Sequence, residues 1–127
     1  MARRSNTHLQ SGKQAEQIAH DYLEAKGLRL IQANFRCRVG ELDLIMLDRQ
    51  VLVIVEVRYR KSSRIVGPMQ TIDSHKRRRL ALAARSFLMR HGDLQDRPIR
   101  FDVIGLTGSM TNPSVNWVKN AFEFDIV

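Results

Sequence analysis

Two aliphatic runs, Glu41–Leu47 and Val51–Arg58, are separated only by Asp48, Arg49 and Gln50. So short a link between two strand-like segments predicts an antiparallel hairpin. Each run also carries an acid among its apolar residues. Asp43 stands between Leu42 and Leu44, and Glu56 between Val55 and Val57. Side chains alternate along a strand, so Glu41, Asp43, Ile45 and Leu47 are expected on one face. If Arg49 and Gln50 form a two-residue turn, Asp48 pairs with Val51. Asp43 then lies opposite Glu56, and Glu41 opposite Arg58. A slip of one residue would send the two carboxylates to opposite faces. Arg-Gln is not a strong tight-turn pair, so the register is an expectation for the structure to decide.

A buried, unpaired carboxylate costs several kcal/mol. Each such acid is therefore expected to be paired, protonated or bound to a cation. Two carboxylates facing each other across a hairpin repel, unless a hard divalent cation sits between them. Mg²⁺ suits such a place, because it takes one or two carboxylates and keeps several waters. Beside a phosphodiester it can ionise water and polarise phosphoryl oxygens. Glu16, at the edge of a helical apolar stripe, is the candidate third ligand. The alternative is a structural ion pair of Glu41 or Asp43 with Arg58.

The rest of the chain places this hairpin in an α/β fold. A helix is expected from about Gly12 to Lys26, ending at Gly27, with Ala15, Ile18, Ala19, Tyr22 and Leu23 on its apolar stripe. Residues 1–10 precede it as a flexible basic arm, and residues 11–127 form a single domain. Leu28–Phe35 reads as the first strand, followed by a basic turn at Arg36–Gly40. Lys61–Asp73, with Gly67 and Pro68, reads as a loop. A second helix is expected over about Ser74–Arg90, then strands at Ile99–Thr107 and Val115–Val118. A strand–helix–strand connection predicts that the third and fourth strands are parallel. The sum is a mixed sheet with a helix on each face.

Charge narrows the partners. The net charge is +8, and Val57–Arg79 alone holds eight basic residues against Asp73. These are Arg58, Arg60, Lys61, Arg64, Lys76, Arg77, Arg78 and Arg79, and Arg36 and Arg38 add a second basic turn. Concentrated positive charge attracts polyanions and releases their counterions; a solvated basic face is the alternative. The longest aliphatic run, Val51–Val55, falls far short of the ~20 residues of a membrane span. Met1–Gln10 has no apolar stretch of the secretory type. Cys37 is the single cysteine, and no Cys/His spacing suggests zinc. A cytoplasmic protein without a membrane partner is expected.

The motifs Gly12-x-x-x-Glu16-x-x-Ala19, Tyr22-Leu23, Gly27, Asn34-x-Arg36, Gly40-Glu41-Leu42-Asp43-Leu44-Ile45 and Val55-Glu56-Val57-Arg58-x-Arg60 resemble the YraN family, a bacterial family of small uncharacterised proteins. Lys76, Ala83, Ala84, Arg100-Phe101-Asp102-Val103-Ile104 and Asn120-Ala121-Phe122 extend the likeness over most of the chain. The resemblance implies a restriction-endonuclease-like fold, similar to Holliday-junction resolvases with a PD-(D/E)xK site. It implies a Mg²⁺- or Mn²⁺-dependent endonuclease acting on nucleic acid, DNA ahead of RNA, with branched or structured DNA among the expected substrates. The catalytic set carried over is Glu16, Asp43, Glu56 and Arg58, the three acids being metal ligands. Resolvase-like enzymes act as dimers, so a homodimer belongs to the same expectation.

One position departs from the pattern. Where the family of nucleases has lysine, this chain has Arg58, and a guanidinium stays protonated and cannot act as a base. Arg58 could hold a phosphate or steady transition-state charge. Lys76 is a candidate substitute, because helical spacing puts it on the face of Leu80, Ala84 and Phe87; the alternative is a lysine that snorkels from the helix end. The run Lys76–Arg79 also opposes the positive end of the helix dipole, which suggests an external anion. A catalytically inactive binding module that keeps the fold is the rival reading.

Overall fold

The computed structural model describes residues 2–61 and 72–124, with side chains from Gly12 onward. The elements are α1 (Ala2–Ala25), β1 (Arg29–Cys37), β2 (Gly40–Asp48), β3 (Val51–Arg60), α2 (Ser74–Met89), a 3-10 turn at Gly92–Leu94, β4 (Ile99–Thr107) and β5 (Ser114–Phe122). The five strands lie in sequence order in one sheet. Only β3 and β4 are parallel; every other neighbouring pair is antiparallel. This is the expected α/β, restriction-endonuclease-like arrangement.

Each helix covers one face. α1 sets Ala15, Ala19 and Leu23 against Leu44, Met46, Val53, Val55, Ile104 and Leu106. α2 sets Leu80, Ala84 and Phe87 against Phe35, Ile45, Leu52, Ile54 and Phe101. Strands buried on both faces explain why Val51–Val55 reads as an unbroken aliphatic run rather than an alternating one. Among the described residues, no helix is long and apolar enough to cross a membrane.

Several boundaries move. α1 begins at Ala2 rather than Gly12, so the backbone of the expected arm is helical; no proline interrupts those residues and Gly12 alone does not stop a helix. The basic turn narrows to Arg38 and Val39, since β1 continues through Cys37. β5 reaches Phe122, well beyond Val118. Asn120, at φ 52°, bends it, which hides the extension from a strand pattern. The expected loop falls mostly on residues 62–71, outside the described residues.

The β2–β3 turn is as tight as predicted. Asp48 pairs with Val51, and Leu44 with Val55. Arg49 supplies the left-handed conformation, at φ 57°, that a two-residue hairpin demands.

Candidate metal centre and its cationic cleft

The β2–β3 ladder runs from the turn to Leu44 and Val55, and pairing stops there. Beyond that point the strands part like a fork. The Val57 N–H, which faces the gap, donates to Asp43 Oδ2 at 2.9 Å. The Asp43 side chain thus takes the place of a strand carbonyl.

The fork has a local cause in β1. Asn34 has φ 55°, a conformation asparagine tolerates better than most residues. On either side of Asn34 the facing flips: Ala33 and Leu44 pack under α1, whereas Phe35 and Leu42 pack under α2. Strict alternation therefore fails at Asp43, which swings into the line of the sheet. The same twist lets the Asn34 side chain hydrogen-bond Glu16.

Two carboxyl groups, Asp43 and Glu56, meet at the fork, and Glu16 lies near enough to act on both electrostatically. Glu56 is buried, with its side chain 10% exposed. The neutral Asp43 carboxyl hydrogen-bonds Glu56, and Glu16 acts electrostatically on Asp43. Burial is the main force that pushes Asp43 up to about 8, followed by the Glu56 charge, with the Val57 N–H pulling the other way. Glu16 is raised as well, by burial first, while the Asn34 hydrogen bond opposes the rise. Asp43 is thus biased toward its protonated form, because burial disfavours the charged carboxylate and the adjacent Glu56 charge adds to the penalty.

Asp102 in β4 makes the contrast. It is 1% exposed, yet its oxygens accept from Arg100 Nε at 3.0 and 3.2 Å, Trp117 Nε1 at 2.9 Å and the Asn120 N–H at 2.9 Å. Arg100 also reaches Asp48 at 2.9 Å. That carboxylate is saturated by donors and is structural. The charged pair Arg100-x-Asp102 inside an aliphatic strand is the sequence signal for it.

The cations divide. Lys76 Nζ lies 3.2 Å from Glu56 Oε2, so it reaches the sheet rather than snorkelling to solvent. Arg58 makes no ion pair among the described residues, and Glu41 does not face it as expected. Glu41 is exposed and pairs with Arg36 at 3.6 Å, because the ladder has ended before it. Arg36, Arg38, Lys76, Arg79 and Glu41 line one cleft of about 530 Å³. Gly40 brings α2 close there: a Cβ on it would stand 3.4 Å from the Arg79 carbonyl oxygen. Arg77 is spent elsewhere, donating to the Ile72 carbonyl at 2.7 Å and lying over Phe122. Arg78 and Lys61 are exposed, and Arg60 ends β3. Cys37 sits in the cleft wall with its thiol donating to the Gly40 carbonyl at 3.3 Å.

A model of uncharacterised protein family UPF0102 matches residues 15–106. The chain belongs to this family. A UPF0102 protein of Nitrosococcus oceani is 46% identical over 119 residues, covering 94% of this chain and 96% of that protein. One from Pseudomonas fluorescens is 45% identical over 117 residues, covering 92% and 96%. The matched segment of this UPF0102 chain contains all three acids of the fork together with Lys76. One further group of UPF0102 side chains, His20, Asp21 and Glu24, was not anticipated; it lies on one turn of α1 with ligand atoms within 4.8 Å of one another. Its signal is the His20/Glu24 spacing, and the ion pairs within it account for it as helix-surface pairing.

Proposed function

We propose that this chain is a divalent-metal-dependent nuclease that hydrolyses phosphodiester bonds in nucleic acid, with DNA the favoured substrate. The observation that carries the reading is the convergence of half-buried Asp43 on buried Glu56, where burial and the Glu56 charge push the Asp43 carboxyl up to about 8. A set of hard oxygen donors with displaceable protons suits Mg²⁺ or Mn²⁺. Asp43 and Glu56 would hold the ion, with Glu16 a third ligand directly or through water. A bound divalent ion supplies acidified water and a polarised phosphoryl group.

The chain's own residues do the rest. The Val57 N–H and Asn34 orient Asp43 and Glu16. Burial of Glu56 keeps bulk water from screening the charges. Arg36, Arg38 and Arg79 would bind the phosphate backbone through guanidinium forks. Among the described residues no aromatic ring lines the cleft, so recognition would be of backbone rather than base. Arg58 would steady charge on the phosphoryl oxygens and cannot serve as the base.

The test is cleavage of junction, flap and single-stranded oligonucleotides with Mg²⁺ or Mn²⁺. Cleavage that disappears with chelator and in Asp43→Ala supports the reading; cleavage undiminished in that variant overturns it. Arg58 in the lysine position favours a second reading, a binding module without turnover. That reading predicts salt-dependent binding of the same oligonucleotides with no product in any metal.

A further inference from the structure

The ammonium of Lys76 occupies a telling place. Glu56 has a cationic neighbour two residues along its own strand, Arg58, and on strand alternation the two share a face. Yet the ion pair of Glu56 is made by Lys76, from a different element. The backbone of Lys76 is pinned: its N–H donates to Asp73, the N-cap of α2, at 2.9 Å. The next residue, Arg77, clamps the same helix start through the Ile72 carbonyl. What remains free is the four-carbon stem, a flexible arm carrying a compact charge. That arm also lines the cationic cleft beside Arg36, Arg38 and Arg79. One ammonium therefore borders both the carboxylates and the groove in which a phosphate would lie, and it is 29% exposed.

We propose that Lys76 is a movable counter-cation: it holds Glu56 while the carboxylates carry no metal, and turns to a substrate phosphate in the cleft when they do. This rests on the metal reading of the same site. The reasoning is competitive. A divalent ion and an ammonium cannot both neutralise one carboxylate oxygen at contact distance without repelling each other. When the ion binds, the lysine loses its attraction to Glu56, and the cleft offers it a phosphate among three arginines. Lys76 is then a positioning group whose contact with nucleic acid depends on the metal, whereas Arg36, Arg38 and Arg79 contact it in either state.

The test uses the full chain and two titrations. Calorimetry with Ca²⁺, which takes the same oxygen donors, is compared for wild type, Lys76→Met and Lys76→Arg. Loss of the internal competitor in Lys76→Met should tighten Ca²⁺ binding by about fivefold, the scale of a partly exposed ion pair; Lys76→Arg should not tighten it. Binding of a short single-stranded oligodeoxynucleotide is then measured with chelator and with Ca²⁺. Lys76→Met should weaken binding about fivefold with Ca²⁺ and leave it unchanged with chelator. A lysine with a purely structural role would change both conditions alike, and that result overturns the proposal. Equal Ca²⁺ affinity in wild type and Lys76→Met overturns it too. Absence of Ca²⁺, Mg²⁺ and Mn²⁺ binding in wild type would instead remove the metal reading itself. A thermal melt of each variant excludes misfolding, since Lys76→Arg keeps the charge and serves as the folded reference.

Discussion

Replacing Asp43 by Asn should stabilise the metal-free protein, which is unusual for a change at a half-buried, hydrogen-bonded position. In the folded state the Asp43 proton is held up to about pH 8, against an ordinary value of 3.8. Below pH 3.8 the carboxyl is protonated in both folded and unfolded chains, and the group imposes no penalty. As pH rises from 3.8 to about 8, the unfolded chain gains by ionising while the folded chain holds its proton, so stability is lost. At pH 7 the gap corresponds to roughly 4 kcal/mol, at 1.36 kcal/mol per pH unit, and this is an upper bound. Asparagine keeps the shape, can accept from Val57 N–H and can donate to Glu56. A gain of about 2–4 kcal/mol at pH 7 is therefore expected. Urea unfolding in chelator, at intervals from pH 4 to pH 8, reads it directly. The difference between Asp43→Asn and wild type should grow with pH, at no more than about 1.4 kcal/mol per unit. A variant less stable than wild type, or a difference that does not change with pH, would refute the reasoning.

Glu56→Gln should keep the fold and abolish divalent-ion binding, as read by calorimetry, because the amide is a poor ligand and leaves Lys76 without its charged partner. Asp102→Asn should cost about 3 kcal/mol at neutral pH, since the amide turns a donor toward Arg100 or Trp117; denaturant unfolding checks this, and metal binding should survive. Phe87→Ala should cost about 3–5 kcal/mol, because that fully buried ring packs against both Phe35 and His91. Arg38→Ala and Arg79→Ala should each flatten the salt dependence of oligonucleotide binding by about one unit of slope, whereas Arg77→Ala should act on stability through its loss of the Ile72 contact.

The hairpin and its register were legible because two constraints coincide. A two-residue link leaves little freedom, and burial punishes a slip along the whole strand. Lys76 was legible as a helix-face residue, but its choice of Glu56 over solvent was not, since spacing gives a direction and not a partner. Arg58 and Glu41 were misjudged for one reason: the register was extended past the point where the strands part. The twist at Asn34 that opens the fork leaves only an asparagine in a strand as its signal. Asp102 was hidden because its satisfaction depends on Trp117 and Asn120 in β5, a partner strand whose length the sequence understates. The paired acids themselves stood out from composition, because carboxylates inside aliphatic runs are costly unless something compensates them.

The most direct measurement is a calorimetric titration of Mn²⁺ at pH 7 in buffers of differing ionisation enthalpy, on wild type and Asp43→Ala. The account predicts binding by the wild type with release of about one proton, the one held between Asp43 and Glu56, and no binding by the variant. Binding of equal strength in Asp43→Ala, or no binding by either protein, would contradict it.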